Sequence, residues 1–199
     1  MLYFDEKGLA KSQRIIIKRF ETIEREPMDK INGIIVHQTG GDTAASSFNS
    51  YRNKGANGAH FLIDKEGIIY QTASVFKATW HVGKIKSRCY IEKKCKPAEV
   101  ATIKKMLNKY KLLSDTEKLK PPQERYPANF DSIGIEIVGR PVSGKGENTV
   151  YETVNDNQNS ALKWLITEIC HSLKVPVTEI FRHPDVSYKV QTEAKTAEW

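Results

Sequence analysis

The clearest pattern along the chain is a series of short β-branched runs, each closed by a turn signal and separated by stretches of helical period. Ile31 to Gln38 is apolar and ends at Thr39-Gly40-Gly41, as a buried strand does where it enters a loop. A helix over about Ala44 to Asn53 follows from the next stretch. His60 to Asp64 and Ile68 to Thr72 flank Lys65-Glu66-Gly67, a polar link with the glycine that a hairpin needs. Ser132 to Val138 is another core-type strand, with one acid, Glu136, set among apolar residues. From Asp156 to Leu173 the residues Leu162, Leu165, Ile166, Ile169, Cys170 and Leu173 recur at helical spacing, behind Asn155 or Asp156 as a cap. The stretch from Lys84 to Asn129 is rich in Lys and Pro. Its spacing predicts one amphipathic helix over Pro97 to Leu113, with Val100, Ile103, Leu107 and Tyr110 turned inward.

Strands alternating with helices, without an internal repeat, describe one α/β unit. A chain of 199 residues suffices for one core, so residues 1–199 are read as a single domain with 84–129 a basic insertion in it. The longest aliphatic runs, such as Ile15 to Ile17 and Ile34 to Val36, fall far short of the roughly 20 residues a helical span needs, so no membrane insertion is expected. The opening MLYFDEKGLAKSQR mixes acids and bases where a secretory signal needs a basic start and an apolar stretch. No Sec signal is read there. A formal charge of +7 suggests an anionic partner, whether nucleic acid, a membrane surface or the bacterial wall. No nucleic-acid motif accompanies it, so no nucleic-acid partner is expected. Cys89 and Cys95 enclose a short basic segment without two further zinc ligands nearby, which leaves a local disulfide or two free thiols.

Five side chains carry candidate chemistry. His37 ends the first core strand just before a Gly-rich turn, where a rigid sheet hands a side chain to a pocket. His183 lies in a loop after Phe181-Arg182. A catalytic zinc needs three protein ligands, an open position and a nearby base. His37, His183 and Glu193 would supply the ligands, Glu136 the base for an attacking water, and Lys189 a cation for the oxyanion of a tetrahedral intermediate. Each has a plain alternative: a packed histidine, an edge-strand acid, or a surface charge.

Together, IIVHQTGG, GAHFLIDKEGIIYQ, ATWHVG, DSIGIEIVG and RHPDVSYKVQTEA resemble, in order and separation, the type 2 N-acetylmuramoyl-L-alanine amidase family. That family includes AmpD-like recycling amidases, phage amidases and peptidoglycan-recognition proteins. The resemblance runs from about Asn32 to the C-terminus. It implies a central mixed β-sheet flanked by helices, a Zn2+ groove at the sheet edge, and hydrolysis of the amide between N-acetylmuramic acid and L-alanine of the stem peptide. The family's two zinc histidines fall on His37 and His183, and its general base on Glu136. The third ligand departs from the pattern. AmpD-like members carry an Asp where this chain has Glu193, and phage members a Cys where it has Gln191. The phage-type lysine falls on Lys189 and the AmpD-like one on Gln191, while Ala59 stands where phage enzymes carry a catalytic Tyr. His60, Trp80 and His81 lie in motif segments without matching a ligand; the two histidines are read as pocket wall or sugar and peptide contacts, with packing residues as the equal alternative, and Trp80 as stacking on a sugar ring.

The insertion, with RCYIEKKC and ERYPANFDS, resembles a subgroup associated with interbacterial toxin secretion. That implies a secreted antibacterial or lytic enzyme reaching the periplasm by a non-Sec route, with an inhibitor or immunity protein as partner. Cytoplasmic recycling of wall fragments is the alternative. The expected partner is peptidoglycan or a muropeptide, and the expected state a monomer. The rival reading is a peptidoglycan-binding protein that has lost catalysis.

Overall fold

The computed structural model describes residues 1–199. Its centre is a six-stranded sheet of β1 (Ile15–Ile17), β2 (Gly33–Gln38), β3 (Phe61–Ile63), β4 (Ile69–Gln71), β5 (Ser132–Ile137) and β6 (Ile180–Arg182), in the order β6-β2-β5-β3-β4-β1. Only β3 and β4 pair antiparallel; the other neighbours are parallel, so the sheet is mixed. Six helices surround it: α1 (Ala44–Tyr51), α2 (Arg88–Ile91), α3 (Pro97–Lys104), α4 (Tyr110–Lys118), α5 (Asp156–Leu173) and α6 (His183–Val186).

The two faces of the sheet are buried differently, which explains the continuous apolar runs of β2 and β5. Ile34 and Val36 of β2, Ile133, Ile135 and Ile137 of β5, and Phe61 and Ile63 of β3 point to one side and pack on Ala161, Leu162, Leu165, Ile166 and Ile169 of α5. α5 is the long helix its periodicity predicts. Asn155 caps it in a box with Gln158, and Lys174 ends it in the left-handed region at φ 58°. On the other side Ile35 joins Val82, Ile85, Tyr126, Ala128 and Val186, and Leu62 joins Ile23, Phe48 and Tyr51. His37 and Glu136 project to this second side between the two smaller clusters.

The hairpin forms over Phe61–Ile63 and Ile69–Gln71 with Ile63 opposite Ile69. Asp64 Oδ1 accepts from the N–H groups of Glu66 and Ile68 at 3.1 and 2.8 Å, and Gly67 takes φ +82°. α1 starts at Ala44 as expected, capped by the Thr43 hydroxyl, and stops two residues early at Tyr51.

The segment from Lys84 to Asn129 departs from its sequence pattern. The single helix expected over Pro97 to Leu113 is two, α3 and α4, broken between Lys105 and Lys109. Of the four residues expected inward only Ile103 is fully buried, and Tyr110 is exposed, its ring 4.2 Å from that of Tyr188. The cause is chemical. The inner face of α4 is Leu113, Ser114 and Glu117, where Ser114 Oγ accepts from Ile85 N–H at 3.0 Å and Glu117 pairs with Lys120 at 2.8 Å. Polar groups point inward there, Glu117 Oε2 without a hydrogen-bond partner, and hydrophobic periodicity cannot register them. Cys89 and Cys95 form the local disulfide. Arg88 fastens this segment to the sheet edge through both carboxylate oxygens of Glu179, each at 2.9 Å.

Candidate metal centre

Strand register brings the site together. In the parallel pair β2 and β5, His37 stands opposite Glu136, so the two side chains share a face. Arg182 pairs with Val36, and the next residue in each strand direction is His183 beside His37, their ring centroids 4.2 Å apart. Glu193 arrives from the C-terminal loop, which Gln38 pins to the end of β2. Gln38 Oε1 accepts from Ala194 N–H at 2.9 Å while its amide donates to the Glu152 carbonyl at 2.9 Å. Gly139 makes room, since a Cβ there would lie 2.3 Å from the Gln38 amide nitrogen. The site thus sits past the carboxyl ends of parallel strands, where open α/β sheets bind ligands.

His37, His183 and Glu193 are all buried, and one ligand atom from each lies within 4.8 Å of the others. His183 Nδ1 is 2.8 Å and His37 Nδ1 3.6 Å from the same oxygen, Glu193 Oε1. The far nitrogen of each ring is engaged elsewhere: His183 Nε2 donates to the Val82 carbonyl at 3.0 Å, and His37 Nε2 lies 3.0 Å from His81 Nδ1. Glu193 Oε1 is thus shared by His183 Nδ1 and His37 Nδ1 while the other nitrogen of each ring is held by a different partner. Two ring nitrogens and a carboxylate oxygen converge there, a donor set that a cation can share. Burial, followed by the neighbouring His183 and opposed by Glu193, pushes His37 down to about 4, so it offers a lone pair at neutral pH. Burial alone would raise Glu193; the rings of His183 and His37 reverse this and hold it down to about 2, a carboxylate.

A cleft of about 390 Å³ opens over the three residues. Glu136 and Lys189 line it, as do Trp80, His81, Tyr51 and Tyr151. Glu136 Oε2 is shielded from solvent and has no hydrogen-bond partner. Burial first, and Glu193 second, push this carboxyl up to about 8, with Lys189 pulling the other way. An acid so poised is suited to taking and returning a proton near neutral pH. Gln191, the other position considered for both ligand and lysine, is exposed and outside the cleft lining.

The three expected substrate contacts separate. Trp80 lines the cleft half-exposed, with the Arg25 guanidinium carbon 4.4 Å from its ring centroid. His81 reaches the cleft but is bonded to His37. His60 does not reach it. Its ring is fully buried, with Nε2 on the Lys77 carbonyl at 2.8 Å and Nδ1 accepting from Gly134 N–H at 3.0 Å. Both nitrogens are satisfied by backbone, so of the two readings His60 takes that of a packing residue, and its reading as a substrate contact is corrected. Sequence reasoning missed Tyr51 and Tyr151. Tyr51 ends α1 and belongs to the Ile23 and Phe48 cluster, and nothing in its local pattern signals a cleft. Burial, and then the Glu136 charge, raise its phenol well above the usual value.

The family model described as N-acetylmuramoyl-L-alanine amidase matches residues 27–197. The chain belongs to this amidase family. Its enzyme class is therefore that of the N-acetylmuramoyl-L-alanine amidases, which act on peptidoglycan. No curated protein matches the chain. Among solved structures, the catalytic domain of XlyA superposes with a TM-score of 0.52 at 19% identity, covering 88% of this chain and 87% of that one. A selenomethionine AmpD derivative gives 0.53 at 15% identity, covering 92% and 87%. A mutant endolysin from Bacillus subtilis gives 0.50 at 19% identity, covering 85% and 82%. At these identities the likeness is one of fold, and the amidase chain shares their α/β architecture with a central mixed sheet.

Proposed function

We propose that this amidase is zinc-dependent, with His37, His183 and Glu193 as ligands, and that it releases stem peptides from N-acetylmuramic acid in an oxidising compartment. The observation that carries the reading is the convergence of His183 Nδ1 and His37 Nδ1, at 2.8 and 3.6 Å, on one buried carboxylate oxygen, Glu193 Oε1. The donor set, two nitrogens and one carboxylate oxygen, suits zinc and leaves a coordination position free. Zinc bound there supplies a Lewis acid that polarises the lactyl carbonyl and lowers the pKa of an attacking water toward about 7.

The chain's own residues then divide the work. Glu136 Oε2, buried and without a partner, accepts the proton lost by the attacking water. The Lys189 ammonium, on the cleft wall, faces the charge that develops on the carbonyl oxygen as the C–O bond forms. Glu136 returns its proton to the alanine nitrogen as the C–N bond breaks, leaving a lactyl carboxylate on the sugar and a free amine on the peptide. Trp80 offers an exposed ring face for the sugar.

The Cys89–Cys95 disulfide supports action outside a reducing cytosol, in keeping with delivery to the periplasm as an antibacterial or lytic enzyme. The decisive experiment digests purified sacculi and soluble muropeptides with the wild-type chain and with Glu136→Gln, and measures metal content in parallel. The reading requires about one zinc per chain in both proteins and stem-peptide release by the wild type alone. Release that survives chelation, or that survives in Glu136→Gln, overturns it.

A further inference from the structure

The hydrogen-bond chain behind His37 has one fixed end, the Ala128 carbonyl. The Ala128 carbonyl can only accept, so the Ser132 hydroxyl donates to it at 2.6 Å. Ser132 Oγ is left with lone pairs and lies 3.2 Å from His81 Nε2, which must therefore carry the proton of that contact. His81 Nδ1 then has a lone pair and accepts from His37 Nε2–H at 3.0 Å. His37 Nδ1 is left unprotonated, and it is the nitrogen turned toward Glu193. Each step forces the next, because a neutral imidazole has one donor and one acceptor.

We propose that His81 is a positioning residue that sets which nitrogen of His37 faces the metal, through a directional relay from Ala128 by way of Ser132. This rests on the zinc reading above. Three further features fit it. Gly134 lies under the ring, where a Cβ would meet His81 Cγ and Nδ1 at 2.8 Å, so the middle of a core strand forgoes a side chain to admit the imidazole. Asn129 Oδ1 accepts from the N–H groups of both His81 and Val82, at 3.1 and 2.8 Å, and clamps the loop. The Val82 carbonyl in turn orients His183. One dipeptide, His81-Val82, thus aligns both zinc histidines, one by a ring and one by a backbone carbonyl. Outer partners of this kind fix ligand tautomers at metal sites.

The test pairs nitrogen-15 NMR of the histidine rings in metal-free protein with zinc affinity from chelator competition. Wild type is expected to show His37 as a single Nε2-protonated tautomer. His81→Ala should mix the tautomers and weaken zinc about 10- to 100-fold. His81→Asn, whose Oδ1 can replace the lost acceptor, should recover most of that loss, and Ser132→Ala should fall between. The proposal is overturned if His81→Ala keeps both the tautomer and the affinity, or if His81→Asn is as impaired as His81→Ala, which would make the ring mere packing. Should His81→Ala fail to fold, Ser132→Ala, which removes one hydroxyl, decides the matter by the same two measurements. A wild-type chain that binds no zinc overturns the metal reading instead, and the tautomer measurement still judges the relay.

Discussion

Glu136 makes a pH-dependent stability prediction that needs no substrate. Its carboxyl is pushed up from an ordinary 4.5 to about 8, so the folded protein binds a proton there that the unfolded chain has already lost. The penalty for ionising Glu136 is absent below about pH 4.5, grows as pH rises, and is complete above about pH 8. At about 1.4 kcal/mol for each pH unit between the two values, the ceiling is on the order of 5 kcal/mol, and solvent on the open side of the cleft reduces it to roughly 2 to 3. Metal-free Glu136→Gln should therefore match wild type near pH 4.5, apart from a constant offset for the buried amide, and gain stability over it steadily up to about pH 8. Urea denaturation in the presence of a chelator, at intervals from pH 4.5 to 9, measures this. A difference between the two proteins that does not change with pH would refute the reasoning. Bound zinc should flatten the profile, since a cation beside the carboxylate favours its charged form.

Further outcomes follow from the same geometry. Glu193→Ala and His183→Ala should each reduce zinc from about one per chain to a small fraction by elemental analysis, and stem-peptide release should disappear with it. Lys189→Met should lower kcat on the order of 100-fold with little change in KM, because the ammonium acts on charge that exists only in the transition state. A comparable rise in KM would instead assign Lys189 to ground-state binding. Cys89→Ser with Cys95→Ser should cost about 2 kcal/mol in thermal or urea unfolding, the entropy of a short closed loop, and leave zinc content intact.

What the sequence made legible, and what it hid, divides along a physical line. The strands carrying His37 and Glu136 are readable because both faces of the sheet are covered, which forces continuous β-branched runs. Glu136 stands out because an acid in such a run needs a reason. α5 is readable because its stripe is apolar and its cap is an Asn. The break between α3 and α4 is hidden because the inner face of α4 carries polar residues, Ser114, whose partner Ile85 lies 29 residues away, and Glu117, paired with Lys120 one turn on. His60 and His81 sit 21 residues apart in motif segments and look alike on paper. What separates them is who accepts their protons, and that depends on Lys77 for one and Ser132 for the other. Spacing can nominate a ligand, because a ligand needs only its residue type and its place at a strand end. It cannot assign the residues that orient a ligand, because that role belongs to the pairing of donors and acceptors across strands. The geometry of His37 accordingly rests on residues 44 and 95 positions away, His81 and Ser132, so substitutions at those two positions, neither of them a ligand nor a proton carrier in the reaction, should still weaken the hold on zinc.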